Sequence, residues 1–107
     1  MTAITAQHAA TALPEGGLHT QRIGALDFET GGRLPDVELA YETWGTLNAE
    51  ATNAVLVLHA LTGSTHVASS TAIPEEGWWE GIVGPGCAID TDRWFVVAPN
   101  IVGGCYG

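Results

Sequence analysis

Two runs of five residues, Ala54-Val55-Leu56-Val57-Leu58 and Trp94-Phe95-Val96-Val97-Ala98, constrain this chain more than any other feature. Neighbouring strand residues point to opposite faces, so a run without a polar residue on either face predicts a strand covered on both sides. Such strands belong inside a sheet flanked by helices, an α/β arrangement. Outside the first residues the sequence holds no amphipathic stretch of about 10 residues or more. The groups that would bury Val55, Val57, Phe95 and Val97 are therefore expected from outside this chain, and the sheet is expected to be incomplete.

Upstream the pattern has a different period. Ile23, Ala25, Leu26 and Phe28 roughly alternate with polar residues, Thr30-Gly31-Gly32-Arg33 marks a turn, and Val37-Glu38-Leu39-Ala40-Tyr41-Glu42-Thr43 follows. Period-two alternation on both sides of a glycine turn predicts a β-hairpin with one wet face. Val37, Leu39 and Tyr41 are expected on its dry face, with Glu38 and Glu42 turned to water. Residues 1–17 are small and polar, end in Pro14-Glu15-Gly16-Gly17 and read as a disordered lead-in, leaving 18–107 as the folded portion. Between the two apolar runs, Pro74-Glu75-Glu76 followed by Trp78, Trp79, Ile82 and Val83 suits one short helix.

Charge removes whole classes of function. The chain of 107 residues has no lysine, only Arg22, Arg33 and Arg93 as formal cations, and a net charge of -9. Nucleic-acid binding needs a basic footprint to displace counterions from phosphates, so neither DNA nor RNA is an expected partner. Cys87 and Cys105 form no C-x-x-C pair, which signals neither a zinc ribbon nor a redox centre. The N-terminus lacks the basic and apolar regions of a secretory signal, and no run is long enough to span a bilayer. A cytoplasmic protein with no membrane partner is the expectation.

In open α/β sheets, ligands bind beyond the carboxyl ends of the strands. Two glycine-containing segments lie there: His59-Ala60-Leu61-Thr62-Gly63 and Asn100-Ile101-Val102-Gly103-Gly104-Cys105. Together with Leu39-Ala40-Tyr41-Glu42-Thr43-Trp44-Gly45, Gly77-Trp78-Trp79-Glu80-Gly81-Ile82-Val83-Gly84-Pro85-Gly86 and Ala88-Ile89-Asp90-Thr91-Asp92-Arg93, they form five blocks in order. These blocks resemble the homoserine O-acetyltransferase family, from about Gly17 to the last residue. The resemblance implies the N-terminal part of an α/β-hydrolase fold, a hairpin followed by two central strands. It implies an acyltransferase that moves acetyl from acetyl-CoA to L-homoserine in methionine biosynthesis, through an acetyl-serine intermediate. Acetyl-CoA would be the acyl donor, with no permanently bound cofactor, and the full-length family is expected to be homodimeric.

The serine, aspartate and histidine of the family's triad match nothing in this chain, so alone it is expected to be inactive. What carries over is the loop after the third strand, which supplies one backbone N–H to the oxyanion hole. Leu61 is the expected donor, with His59, Ala60, Thr62, Gly63, Gly103 and Gly104 as substrate-pocket wall and floor. A related acyltransferase or esterase (succinyl donor, serine acceptor or water) is the alternative within the enzyme class. A non-catalytic module that completes its sheet with a partner is the alternative outside it.

Other residues are weighed against simpler roles. His59, at the end of a buried strand, is expected to be a hydrogen-bonded structural histidine, and His66 a solvated loop residue. His59, His66, Asp90 and Asp92 have no recognised metal-ligand spacing. Cys105 has no basic neighbour to lower its pKa and is expected to be a small buried pocket residue. Asp90-Thr91-Asp92 is expected to form side-chain-to-backbone turns, and Trp78 and Trp79 to pack a helix on the sheet rather than stack on an adenine.

Overall fold

The computed structural model describes residues 16–106. The expected hairpin is present: β1 (Leu18–Asp27) pairs antiparallel with β2 (Arg33–Trp44). Its tip closes where Phe28 N–H donates to Gly32 O at 3.0 Å and Gly31 N–H to Phe28 O at 3.1 Å. The register slips on either side of Gly24, and this outer half of the hairpin leaves Ile23, Leu26, Phe28 and Leu34 exposed. The disordered reading of residues 1–15 lies outside the described residues; Gly16 already belongs to the fold, its N–H donating to Thr43 O at 2.8 Å.

Both apolar runs enter the same sheet. β3 (Ala54–Leu56) lies parallel to β6 (Phe95–Pro99), and β6 also pairs antiparallel with the inner half of β2. The strand order is β1-β2-β6-β3, with a separate two-stranded ladder of β4 (Val83–Gly84) and β5 (Ile89–Asp90). Among the described residues there is no helix. This partial mixed sheet, a hairpin followed by two parallel strands, is the arrangement the sequence predicts.

The register decides which face is covered. Glu42 stands opposite Ala98, Trp44 opposite Val96, and Val96 opposite Val55, so these side chains share one face. On that face Trp44, Val57, Val96 and Ala98 form the core with Val67, Ala68 and Val83 of the long connection. The connection thus covers one face without a helix, which corrects the expectation that Val55 and Val57 would find no cover in this chain. On the other face Phe95 and Thr43 are buried too, which corrects the same expectation for Phe95, while Leu56 and Leu58 remain 60% and 64% exposed. At about 25 cal/mol per Å² of apolar area, side chains of this size leave a few kcal/mol of burial unrealised there.

Two further expectations change. Val37 is buried as expected, but Leu39 and Tyr41 are only half-buried. Glu42 is not on a wet face but 2% exposed, because the inner half of β2 is covered on both faces, burying Ala40, Glu42 and Trp44 together with Thr43. The helix expected between Pro74 and Val83 is absent because its amide donors are used elsewhere. Gly77 N–H and Ser69 N–H both donate to the Glu80 carboxylate at 2.8 Å. Trp78 N–H reaches His66 O at 3.1 Å and Trp79 N–H reaches Val67 O at 2.8 Å. With those bonds made, the two indoles stack on each other at 5.6 Å, and both are exposed instead of lying on the sheet.

The turn from β2 is set by Gly45, at φ 76°. A Cβ there would overlap the carbonyl oxygen of Trp94 and stand 2.8 Å from that of Thr91. Asn53 then pins the same turn to the start of β6, its Nδ2 donating to Thr46 O at 2.9 Å and Arg93 O at 3.0 Å. Gly45→Ala therefore meets both a left-handed backbone and a backbone clash, and is expected to lower unfolding free energy by about 2 kcal/mol. Urea denaturation of the variant beside the parent protein checks this.

Candidate functional site

Because β3 and β6 are parallel neighbours, the chain leaves both at the same edge of the sheet. The ladder runs one step past β3, with Val57 N–H donating to Val97 O at 2.9 Å, and then the 59–63 loop begins. His59 is buried, as expected, and its Nδ1–H donates to Ala60 O at 2.6 Å. That bond makes Nε2 the lone-pair nitrogen of the neutral ring, and Nε2 is buried with no partner among the described residues. Gly63 N–H donates to Ala60 O at 2.9 Å, closing a tight turn. A Cβ at Gly63 would stand 2.8 Å from that of His59, so the turn folds over the imidazole only because residue 63 has no side chain.

At the crest of this turn Leu61 is 89% exposed. The backbone N–H groups of Leu61 and Thr62 donate to no group among the described residues. Two adjacent free donors on a loop whose ends are fixed is the arrangement that can receive a developing oxyanion.

The second loop starts at Asn100, which is buried and held on two sides. Its backbone N–H donates to Ala40 O at 2.8 Å and its Nδ2 to Tyr106 O at 2.6 Å, while Oδ1 has no partner among the described residues. Gly103 (φ 80°) and Gly104 make the turn, closed by Gly104 N–H donating to Ile101 O at 2.8 Å. Cys105 is exposed, not the buried pocket residue expected, because this short turn has nothing packed over it among the described residues. Asp90 behaves as expected, its Oδ1 accepting from Gly86 N–H and Asp92 N–H at 2.9 Å each. Those two donors hold its carboxyl below the usual aspartate range.

Between the two loops lies a cluster that alternation in the sequence concealed. Glu42 Oε2 accepts from Thr65 Oγ1–H at 2.6 Å, and Glu42 Oε1 lies 3.0 Å from His66 Nδ1. His66 Nε2–H donates to Glu75 O at 2.6 Å. His66 is thus no solvated loop residue; its side chain is 19% exposed and both ring nitrogens are engaged. With Nε2 protonated, a lone pair on Nδ1 would face a carboxylate oxygen, so the pair needs one more proton on the Nδ1–Oε1 line. Burial pulls the His66 pKa down. The Glu42 hydrogen bond, the Glu75 carbonyl bond and the charges of both carboxylates outweigh it and hold the pKa above its ordinary 6.5. Glu42, Thr65, His66 and Asn100 line one cleft of about 230 Å³, with Leu18, Ser64, Ile73 and Tyr106. No group of three or more potential metal-binding side chains occurs among the described residues.

No family model matches the sequence. The chain is 66% identical over 84 residues to a homoserine O-acetyltransferase of Thermobifida fusca, which covers 77% of this chain and 22% of that protein. It is 56% identical over 80 residues to a serine O-succinyltransferase of Stenotrophomonas maltophilia, covering 75% and 22%. Among solved structures, a homoserine O-acetyltransferase from Bacillus anthracis superposes with a TM-score of 0.70 at 35% identity, covering 81% of this chain and 24% of that one. Esterase E22 superposes with a TM-score of 0.69 at 31% identity, covering 83% and 24%. The chain spans about a quarter of the length of the curated relatives it matches.

His66 yields a pH prediction. A histidine whose folded pKa exceeds its unfolded value stabilises the fold fully below the unfolded value, here 6.5, and loses that contribution as pH rises through the folded pKa. Unfolding free energy is therefore expected to fall as pH climbs upward from about 6.5, and His66→Gln is expected to flatten that slope. Denaturant titrations at a series of pH values measure both.

Proposed function

Because the chain belongs to the homoserine O-acetyltransferase family, we propose that it supplies the oxyanion-binding loop of an acyltransferase that moves acetyl from acetyl-CoA to L-homoserine. One observation carries the reading: the free N–H groups of Leu61 and Thr62 sit beyond the carboxyl end of β3, at the same end of the sheet from which the chain leaves its parallel neighbour β6 for the Gly103-Gly104 turn. The serine nucleophile that the family resemblance implies, with its histidine and aspartate, matches no residue of this chain.

In this reaction the serine oxygen attacks the thioester carbonyl, whose oxygen gains a negative charge as the tetrahedral intermediate forms. Collapse expels the coenzyme A thiolate and leaves acetyl-serine. Attack by the homoserine hydroxyl then raises the same charge a second time before the serine is released. In this reading the N–H of Leu61 stabilises the oxyanion of both intermediates. Each such donor contributes roughly 3 kcal/mol in a site sheltered from water. His59, Ala60, Thr62 and Gly63 form the wall around it, and Gly103 and Gly104 the floor. Alone, with no triad, the chain is inactive in this reading.

A second reading follows from the esterase and serine O-succinyltransferase likenesses: the same loop would serve a succinyl donor, a serine acceptor or water. The complete gene product that carries this sequence, supplied with acetyl-CoA, is expected to release free thiol beyond about one equivalent per enzyme only when homoserine is present. Equal release without homoserine would make it an esterase, and release with succinyl-CoA and serine alone would move it to the other transferase class. Leu61→Pro deletes the N–H and is expected to lower kcat by about 10²-fold or more, with circular dichroism confirming that the fold is kept.

A further inference from the structure

The 59–63 loop can stabilise an oxyanion only if its free amides are held still. We propose that the buried Glu42–Thr65–His66 cluster is a proton-dependent clamp that positions the Leu61 and Thr62 amides. The inference rests on the acyl-transfer reading for its kinetic consequence, while its structural consequence stands apart from that reading.

The loop has two feet. The first is the β3 ladder, ending in the bond from Val57 N–H to Val97 O. The second has no strand at all: residues 64–66 are irregular. Side chains do the work there. Thr65, itself buried, donates its hydroxyl to Glu42 Oε2 at 2.6 Å, and His66 joins Glu42 Oε1 at 3.0 Å. Ser64 O accepts from Trp78 Nε1–H at 2.9 Å, and Ser64 Oγ accepts from His66 N–H at 3.2 Å. Glu42 lies in the middle of the β1-β2-β6 ladder, opposite Leu18 on one side and Ala98 on the other, so its carboxylate is an immobile anchor.

A buried carboxylate is a costly anchor unless its charge is met, and removing one partner leaves that cost uncompensated. Among the described residues no Lys or Arg is paired with Glu42; its partners are a hydroxyl and an imidazole. The cluster is therefore closed only while a proton lies between Glu42 and His66. The other charged groups acting on His66 are Glu75, whose carbonyl holds Nε2 and whose carboxylate charge also favours the protonated ring, and Glu80. All three carboxylates favour the proton. When it leaves at higher pH, the Nδ1 lone pair faces the Glu42 carboxylate, the second foot loosens, and the amides at the crest lose their fixed position.

The test uses the complete gene product and two readouts. In ¹⁵N NMR of the wild type, the Leu61 and Thr62 amide shifts are expected to titrate with the same midpoint as the His66 ring. Amides that stay constant while His66 titrates would overturn the proposal, whether or not the protein transfers acyl groups. In kinetics, kcat is expected to fall on the alkaline side with that midpoint. His66→Gln and Thr65→Val are expected to lower kcat about tenfold, with KM changed less than twofold, since a misplaced donor acts on the transition state, and His66→Gln is expected to lose the alkaline limb. A wild type that transfers acetyl to homoserine, with both variants keeping kcat within about twofold and the same alkaline limb, overturns the clamp and leaves the function standing. A wild type with no acyl transfer overturns the function, and the NMR titration still decides the clamp. If a variant fails to fold, the wild-type titration decides alone.

Discussion

Every position that matters in this chain is referred to one five-residue strand. β6 bonds β2 on one side in antiparallel register and β3 on the other in parallel register, and Val96, its second residue, is fully buried. The antiparallel side carries the Glu42 anchor opposite Ala98; the parallel side carries the exit into the 59–63 loop. Shifting β6 by one residue would exchange its faces, moving Val96 and Ala98 out of the core. The register is fixed by Gly45, whose missing Cβ lets the turn lie against Trp94, and by Asn53, which bridges Thr46 O and Arg93 O.

Much of the architecture was legible because it follows from period and turn chemistry. The hairpin, the two interior-type runs and the Asp90 turn all depend on neighbours in sequence, and so do the two glycine loops beyond strand ends. What escaped depends on register between distant segments. Alternation alone makes Glu42 and Glu38 equivalent, yet Glu38 meets Arg22 near the surface while Glu42 meets Thr65 and His66 in the interior. Nothing local distinguishes them; the difference arises because only the inner half of β2 is paired on both sides. The helix expected after Pro74 failed for the same reason, since Glu80 and the carbonyls of His66 and Val67 took the amide donors it needed.

Likewise, two-sided apolar runs identified interior strands but not their cover. The long connection seals one face with Val67, Ala68 and Val83, three small side chains brought close by backbone contact at Gly77. A helix needs about 10 Å of clearance for its own diameter, whereas this irregular segment lies flat. Among the described residues no such segment lies over Leu56 and Leu58, and their exposure agrees with a chain that matches only part of its relatives' length.

The acidic balance of the chain must also be squared with the anionic thioester donor proposed for it. A net charge of -9 would repel coenzyme A if it were spread evenly. It is not. Neither the 59–63 loop nor the 100–106 loop contains an Asp, Glu, Lys or Arg. Asp27, Asp36 and Glu38 stand out on the hairpin with Arg33 and Arg22, and Asp90 turns its carboxylate onto backbone amides. Glu42 lines the cleft with Ser64, Asn100 and Tyr106, and it faces inward to Thr65 and His66. When the Glu42–His66 pair holds its proton, that site adds no net negative charge. At the Debye length of about 8 Å in physiological salt, surface carboxylates farther off are largely screened. The proposed clamp, when protonated, would then both fix the proposed oxyanion donors and neutralise the Glu42 charge that an incoming anion would meet in this cleft.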